Sequence, residues 1–167
     1  MEQGEVVAVE EWLRLRAFAG ERDVEAAVAW YADAATVVSV DGRGATPYDR
    51  DRVAARYDAL AAQGDLFVIE VGGPAGWQPV GDVTLALDTL PIVVASAHRR
   101  HGIGRSVVLR LADRARVLGW GELRVGEVRT DDLASRTLFE GLGFVPRPDP
   151  PPAYVLRLSP LVVRRRG

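Results

Sequence analysis

The chain has 167 residues, which is enough for one domain with its own core and leaves little room for a second. Hydrophobic residues make up 48% of the chain and charged residues 26%, the balance of a folded globular protein rather than a disordered one. The net charge is −2, every cation is an arginine and cysteine is absent, which excludes disulfides, zinc–thiolate sites and a cysteine nucleophile.

No apolar segment follows a basic start, and no apolar run approaches the roughly 18 residues that a membrane span needs. We therefore expect neither a secretion signal nor a membrane helix, and a cytoplasmic protein. An arginine-rich RNA-binding domain would normally carry a net positive charge, so nucleic acid is not an expected partner.

The first third of the chain predicts one strand and two helices. Residues 12–16 alternate between apolar and charged side chains, as a strand does. Asp23 precedes a helical pattern of apolar residues and is a plausible N-cap. Thr46 and Pro47 resemble the N-cap and first position of a second helix, which should end near Gly64.

Three strands are predicted next. Leu66–Val71 is a short apolar run, and the glycine-rich residues 72–76 form a hairpin-like break. Trp77–Leu87 is the second strand. Leu90–Ala95 is almost wholly apolar, which is typical of a strand buried on both faces.

The remaining elements alternate between helix and strand. They are a helix over Gly102–Leu118, a strand over Leu123–Val128, a helix from Asp131 or Asp132 to Leu142, a strand beginning at Phe144, a proline-rich connector over residues 146–153 and a last strand over Tyr154–Leu158. This order predicts a mixed α/β sheet in a single domain over residues 1–167, with residues 159–167 as a tail.

A glycine-containing loop lies between the apolar strand and the helix that follows it. The loop Arg99-Arg100-His101-Gly102-Ile103-Gly104 offers backbone N–H groups at a helix start, and Arg105 adds a further positive charge. Such a nest suits a pyrophosphate. A P-loop would need a lysine, and a dinucleotide fingerprint a third small residue where Val107 stands, so both are rejected. A tight turn without a ligand also fits Gly-x-Gly alone.

Two motifs together resemble the GCN5-related N-acetyltransferases (GNAT). The loop pattern of that family, Gln/Arg-x-x-Gly-x-Gly/Ala, is matched by Arg99, Gly102 and Gly104. A second family motif, Leu-Tyr-x-x-x-Gly-Phe at the end of a helix, is matched by residues 138–144 except that Phe139 replaces the tyrosine. The separation of the motifs leaves room for helix, strand and helix, as predicted above.

The resemblance implies a mixed, largely antiparallel sheet, splayed at its central strands and flanked by about four helices. It implies acetyl-CoA as the acyl donor and no metal. Pantetheine would pair with the strand backbone, the loop amides would hold the pyrophosphate, and the second motif's helix would line the thioester end. The cofactor-binding residues implied are Ile92, Val93, Val94, Ala95, Arg99, Arg100, His101, Gly102, Ile103, Gly104, Arg105, Asp132, Ser135 and Phe139.

In this family an amine usually attacks the thioester directly in a ternary complex, assisted by a base. Asp88 is our first candidate for the base, because it stands at the start of the strand that leads to the loop. Asp82 is the second candidate. Phe139 stands where many members have a proton-donating tyrosine, so the acid must be another group or water, or the protein does not catalyse.

The acceptor is expected to be a primary amine of a small molecule or protein. Trp30, Tyr31 and Glu127 are the predicted acceptor-binding residues, with the early aromatic residues as a possible box for a cationic amine. His98 and His101 lie in an arginine-rich loop, so no metal is expected there. The alternative is a non-catalytic acyl-CoA-binding or regulatory module on the same fold. Either could be a monomer or a homodimer.

Overall fold

The computed structural model describes residues 4–126, 128–150 and 152–159. The strands are β1 (Val6–Glu10), β2 (Leu13–Ala17), β3 (Asp65–Gly73), β4 (Gly76–Leu85), β5 (Ile92–Val94), β6 (Glu122–Val125), β7 (Val145–Arg147) and β8 (Ala153–Arg157). The helices are α1 (Glu21–Tyr31), α2 (Ala34–Asp41), α3 (Arg50–Gln63), α4 (Ile103–Val117) and α5 (Leu133–Gly141). None of the helices in these ranges is long and apolar enough to cross a bilayer.

The strands form two separate sheets. Five of them pair antiparallel in the order β1-β2-β3-β4-β5, and three pair antiparallel in the order β6-β8-β7. Both β5 and β6 are therefore edge strands within the described structure. This split is the splayed, largely antiparallel mixed α/β architecture that the sequence predicted.

The five-stranded sheet is packed on both faces. Along β3, Leu66 points into one apolar cluster with α1, α2 and α3, whereas Phe67 and Ile69 point into the other with α4 and α5. The second of these clusters also contains Leu123 of β6 and so joins the two sheets. Burial of alternate side chains on opposite faces is what fixes the register of these strands.

A β-bulge bends β4 next to its contact with β5. Ile69 pairs with Gly81 but the next residue, Glu70, pairs with Pro79, so β4 carries Val80 as an extra residue. Bulges increase the local twist of a strand and turn it away from its neighbours. The bend lies where the sheet approaches its last strand.

Both predicted caps of the early helices were wrong. The N-cap of α1 is Gly20, and Asp23 instead lies two residues inside the helix and forms an ion pair with Arg16 of β2 at 2.7 Å. Burial opposes ionisation of Asp23, but hydrogen bonds from Arg16 and the Ala19 amide outweigh it and lower the pKa of the carboxyl. The N-cap of α3 is Asp49, whose carboxylate accepts the Arg52 amide at 2.9 Å.

Three further elements differ from the sequence prediction. The helix α2 was not predicted, so five helices flank the sheets rather than about four. The predicted strand Leu90–Ala95 is shortened to β5, and its Ile92 and Val94 remain partly exposed, because β5 is the last strand of its sheet. Strand β6 likewise ends at Val125, earlier than predicted.

The contact between β4 and β5 predicts a specific sensitivity at Gly81. A Cβ at this position would lie 2.1 Å from the Val93 carbonyl oxygen, so β5 would have to move. We expect Gly81→Ala to lower the free energy of unfolding by about 1–3 kcal/mol, as overpacking typically does. Urea denaturation measures this effect. Gly121→Ala is the matched control, because its added Cβ would meet no atom within 4 Å, and equal stabilities of the two variants would contradict the prediction.

Candidate functional site

A cleft of about 280 Å³ opens between the edge strands of the two sheets. Its walls come from β5 with the segment before it, from the end of β6, from α5, and from α2 and α3 above the sheet. The lining residues are Ser39, Val40, Asp41, Arg56, Thr89, Leu90, Pro91, Ile92, Val93, Val125, Gly126, Val128, Arg129, Asp132, Ser135 and Phe139. Five of the predicted cofactor-binding residues are among them, from β5 and from the start of α5, whereas Val94, Ala95 and residues 99–105 do not line the cleft.

The backbone of β5 has polar groups that β4 leaves unpaired. The Pro91 carbonyl accepts the Thr84 amide at 3.0 Å, and the Ala95 amide donates to Val80 at 2.8 Å. Bonding alternates along an antiparallel strand, so the N–H and C=O groups of Ile92 and Val94 point to the open edge. The Val94 carbonyl is occupied there by the Arg99 side chain at 2.8 Å. The N–H and C=O groups of Ile92 and the N–H of Val94 remain, and they can pair with an extended chain of amides that lies along this edge.

The arginine-rich loop after β5 is held in a specific conformation. Arg99 bonds its guanidinium to the Thr36 and Ser39 hydroxyls of α2, at 3.2 and 3.5 Å, as well as to β5. Arg100 and Gly102 have positive φ angles of 64° and 78°, which turn their neighbouring amides inward. A positive φ is costly for arginine, and such conformations are concentrated at binding sites.

Helix α4 begins without a side-chain cap. Its N-cap is Gly102, and its first three amides, those of Ile103, Gly104 and Arg105, have no acceptor among the described residues. The Ser106 amide is the first that bonds within the helix, to Gly102 at 3.0 Å. Three open donors, the positive end of the helix dipole and the exposed side chains of Arg100 and Arg105 make the start of α4 suitable for an anion.

The other wall of the cleft is the start of α5. Asp132 caps this helix, with its carboxylate accepting the Ser135 amide at 3.1 Å and the Ser135 hydroxyl at 2.7 Å. Phe139, one of the predicted cofactor residues, is 3% exposed and packs edge-to-face on Phe144 at a centroid distance of 5.3 Å. The Asp132 cap therefore fixes the start of α5. The Phe139 ring forms an apolar part of the wall and has no group that could exchange a proton.

Asp82 lies behind the cleft at the centre of a buried polar cluster. Its Oδ2 accepts from the Tyr31 hydroxyl at 2.9 Å, the Tyr57 hydroxyl at 3.0 Å and the Trp30 indole at 3.4 Å. Its Oδ1 has no partner in the described structure. Burial raises the pKa of Asp82, although Arg56 and the three donors oppose that rise.

The early aromatic residues do not reach the wall of the cleft. Trp30 and Tyr31 are buried, at 6% and 0% exposure, and their polar atoms serve Asp82. Burial and the nearby Asp82 raise the pKa of the Tyr31 hydroxyl well above its usual value. The ring faces expected to receive a cationic amine are taken by arginines: Arg56 lies 5.5 Å from the Tyr31 centroid, and Arg52 lies 3.8 Å from that of Tyr48.

The other predicted site residues lie outside or at the margin of the cleft. Asp88 is exposed in the turn between β4 and β5, immediately before the lining residues Thr89 and Leu90. Glu127 is outside the described residues. The His101 ring contacts the His98 carbonyl oxygen at 3.3 Å. No group of three His, Asp or Glu side chains able to hold a metal occurs in the described part of the chain.

Sequence reasoning missed α2 and the individual residues of α2 and α3 that line the cleft. Asp41 at the end of α2 lines it, held by the Tyr48 hydroxyl at 2.7 Å and by Arg52 at 2.9 Å. Arg129 donates to the Val38 carbonyl at 2.7 Å and so ties α2 to the segment after β6. Arg56 of α3 also lines the cleft. No local motif marks any of these residues, since their positions depend on tertiary packing.

Comparisons with known proteins agree with this geometry. Residues 13–145 match the family model of the acetyltransferase (GNAT) domain. No curated protein matches the chain significantly. Among solved structures, yncA from Salmonella typhimurium, solved with its cofactor acetyl-CoA, is 21% identical with a TM-score of 0.61, over 89% of this chain and 95% of that one.

Two further structures have higher TM-scores. The acetyl transferase from Salmonella typhimurium that modifies the N-terminal serine of ribosomal protein L7/L12 has a TM-score of 0.75 at 14% identity, over 93% of this chain and 100% of that one. Spermidine N-acetyltransferase from Vibrio cholerae, in complex with CoA and spermine, has a TM-score of 0.70 at 17% identity, over 90% and 98%. At such identities the likeness shows the fold.

The buried Asp82 cluster predicts a pH-dependent stability. Because the pKa of Asp82 is higher in the folded protein than the ordinary 3.8, the folded state binds this proton more tightly than the unfolded chain. Its contribution to the free energy of unfolding is therefore greatest at low pH and falls as the pH rises from about 3.8 through the raised pKa. Asp82→Asn keeps an oxygen acceptor without the charge and should lack this decline.

Urea denaturation of the wild type and Asp82→Asn over a pH series measures the difference in stability between them. We expect the wild type to lose stability relative to the variant as the pH rises. Asp58→Asn, on the exposed face of α3, is the control and should run parallel to the wild type. A difference curve for Asp82→Asn that is equally flat would refute a raised pKa.

Proposed function

This chain belongs to the GNAT acetyltransferase family, and we propose that it transfers the acetyl group of acetyl-CoA to a primary amine by direct attack in a ternary complex. The acceptor amine belongs to a small molecule or a protein. The observation that carries the proposal is that two successive elements of the chain have unpaired backbone groups: the open edge of β5, which lines the cleft, and the uncapped start of α4, which follows it. We also propose that the chain acts as one domain, because a single core cluster includes both Val7 and Leu158.

The donor site follows from those backbone groups. The pyrophosphate of CoA would accept from the amides of Ile103, Gly104 and Arg105, where the helix dipole and arginine charges favour an anion. The two amides of pantetheine would pair with Ile92 and Val94 as an added strand would. Similar folds solved with acetyl-CoA or with CoA support this choice of donor.

The chemistry requires the acceptor to be deprotonated and placed. The amine nitrogen bonds to the thioester carbonyl carbon, the carbon–sulfur bond breaks, and CoA leaves as the thiolate. The nitrogen loses two protons in passing from ammonium to amide: the sulfur takes up one proton, and the second is released to solvent. Holding both reactants in a cleft of about 280 Å³ supplies much of the rate by fixing their approach.

Asp88 remains our first choice for the group that takes the proton. It is exposed and directly precedes two residues of the cleft wall, so it can act there through a bound water. Asp82 is enclosed at 1% exposure, and its Oδ2 already accepts three hydrogen bonds. We assign Asp82 a positioning role instead, holding the tyrosines behind the cleft.

A non-catalytic acyl-CoA-binding module is the second candidate function. Phe139 favours it, because this ring occupies the position of the family's tyrosine and has no hydroxyl to protonate the thiolate. An open cleft lets water protonate the thiolate, since a thiol with an ordinary pKa near 8.5 needs little assistance. Release of free thiol that depends on an added amine would decide in favour of the enzyme.

The donor site predicts that CoA stabilises the protein. At about 100 times its Kd, acetyl-CoA or CoA should add about 2.7 kcal/mol to the free energy of unfolding, which is roughly 5–10 °C in Tm for a protein of this size. NAD should give no such shift. Thermal denaturation with each ligand in turn measures this, and a shift with NAD but not with either CoA would remove the proposal.

Arg105→Glu sharpens that experiment. Residue 105 is the third position of α4, where a glutamate favours the helix but repels a pyrophosphate. The variant should keep the Tm of the free protein and lose most of the CoA-induced shift. Arg157→Glu makes the same change of charge at an exposed position on β8 and should retain the shift.

The proposed base predicts the outcome of Asp88→Asn. Loss of a general base typically lowers the rate by about 10²–10⁴-fold, so kcat/KM should fall by that factor. The thermal shift with CoA should not change. Amine-dependent thiol release measures kcat/KM, with Asp113→Asn, an exposed carboxylate on α4, as control. An unaltered kcat/KM would remove Asp88 from the mechanism.

A further inference from the structure

Arg56 is the one cleft-lining arginine of α3, and its terminal nitrogens have no acceptor among the described residues. The side chain is partly buried, and only its Nε forms a hydrogen bond, donating to the Tyr31 hydroxyl at 2.8 Å. No carboxylate in the described ranges forms an ion pair with it. Taking a guanidinium out of water without a partner is unfavourable, so such a group in a cleft is suited to an incoming anion.

The hydrogen bond to Tyr31 fixes the position of the Arg56 side chain. Tyr31 is fully buried, stacks on Tyr48 at a centroid distance of 5.2 Å and donates its own proton to Asp82. The Tyr31 oxygen is therefore a pure acceptor toward Arg56, which orients the planar fork of the guanidinium. A donor pair held in place before binding loses less entropy when a ligand arrives.

The other charged residues of the cleft wall have protein partners. Asp41 accepts from Tyr48 and Arg52, and Asp132 caps α5. Arg129 donates to the Val38 carbonyl and bonds Asp131 at 3.2 Å. Arg56 differs from all three because its hydrogen-bond partner among the described residues is the neutral Tyr31 phenol. The Asp82 carboxyl acts on Arg56 through its charge without an ion pair and does not line the cleft, so the terminal nitrogens of Arg56 remain open to a ligand.

We propose that the acceptor is a small amine that also carries an oxyanion group, as a free amino acid does, and that Arg56 binds that group in a bidentate manner. This inference rests on the proposed acetyltransferase function and adds the class of acceptor. A guanidinium fork matches the two oxygens of a carboxylate or phosphonate. A cleft of about 280 Å³ suits such a molecule better than a polypeptide.

The pairing also has a consequence for the amine. With its oxyanion on Arg56, the acceptor has one end fixed in the cleft while its nitrogen is left to approach the thioester. A polyamine would instead bring a second positive charge toward Arg56, at a cost that grows as water is excluded. Arg56 thus selects for an anion and against a polycation by the same charge.

Binding of reaction products tests the proposal without requiring turnover. N-acetylated amino acids, their neutral carboxamides and N-acetylated aminoalkylphosphonates are titrated into the CoA-saturated protein by calorimetry. We expect at least one anionic series to bind about 10- to 100-fold more tightly than the matched neutral compound, the range that a charged hydrogen bond supports. The preferred series identifies the oxyanion. Equal binding of anionic and neutral members throughout would overturn the proposal.

Variants of Arg56 then assign the effect to this side chain. Arg56→Gln should abolish the preference for the anion, and Arg56→Lys, which keeps the charge but not the fork, should restore part of it. In thiol-release assays the loss should lie in KM for the anionic amine, with the neutral amine unchanged. An equal loss with both amines would mean a structural role and would overturn the assignment.

Arg50→Gln is the matched control on the same helix, because Arg50 pairs with Glu21 and Glu25 on the outside of α3. It should retain the preference for the anion. If neither Arg56 variant folds, the wild-type titration decides by itself. Failure of CoA to bind or of any amine to release thiol would count against the acetyltransferase proposal, whereas an absent anion preference in a CoA-binding protein counts against the role of Arg56 alone.

Discussion

The missing backbone pairing between β5 and β6 is the constraint on which the rest of the site depends. Backbone N–H and C=O groups at the edge of a sheet inside a protein must form hydrogen bonds, with other groups or with water. Here the groups of Ile92 and Val94 face a cleft, and the bulge at Val80 bends β4 where it meets this strand. A continuous sheet would pair these groups internally and leave no edge for a ligand. The split leaves β5 and β6 without hydrogen bonds to each other, and the cleft lies between them.

Two different binding chemistries lie on either side of β5 in the chain. The start of α4, which follows β5, offers uncapped amides and arginines, which suit a phosphate group. On β4, which pairs with β5, the buried Asp82 accepts hydrogen bonds from three aromatic side chains. A carboxylate enclosed in this way contributes little as a reagent, but it fixes the hydroxyl of Tyr31 and through it the guanidinium of Arg56.

The parts of the structure predicted from sequence are those with local causes. The loop at Gly102 and the cap at Asp132 carry their own signals, a residue that tolerates positive φ and a side chain that accepts amides. The helix α2 could not be predicted, because its threonine and valines have weak helical propensity and are held by Arg99 and Arg129 from distant segments. The role of Arg56 could not be predicted either, because nothing in the sequence distinguishes it from the other arginines and only tertiary packing places it in the cleft. Asp23 misled the prediction because a buried ion pair outcompeted its capping role.

The two arginine contacts of α2 also determine how far the cleft can open. Arg99 attaches the helix to β5 on one side, and Arg129 attaches it to the segment after β6 on the other. The eight-residue helix α2 therefore connects the two sides of the gap between the sheets. Any widening of the gap at this point must release one of these attachments. The separation of the two cleft walls is thus fixed in part by a helix whose own residues Ser39 and Asp41 line the cleft.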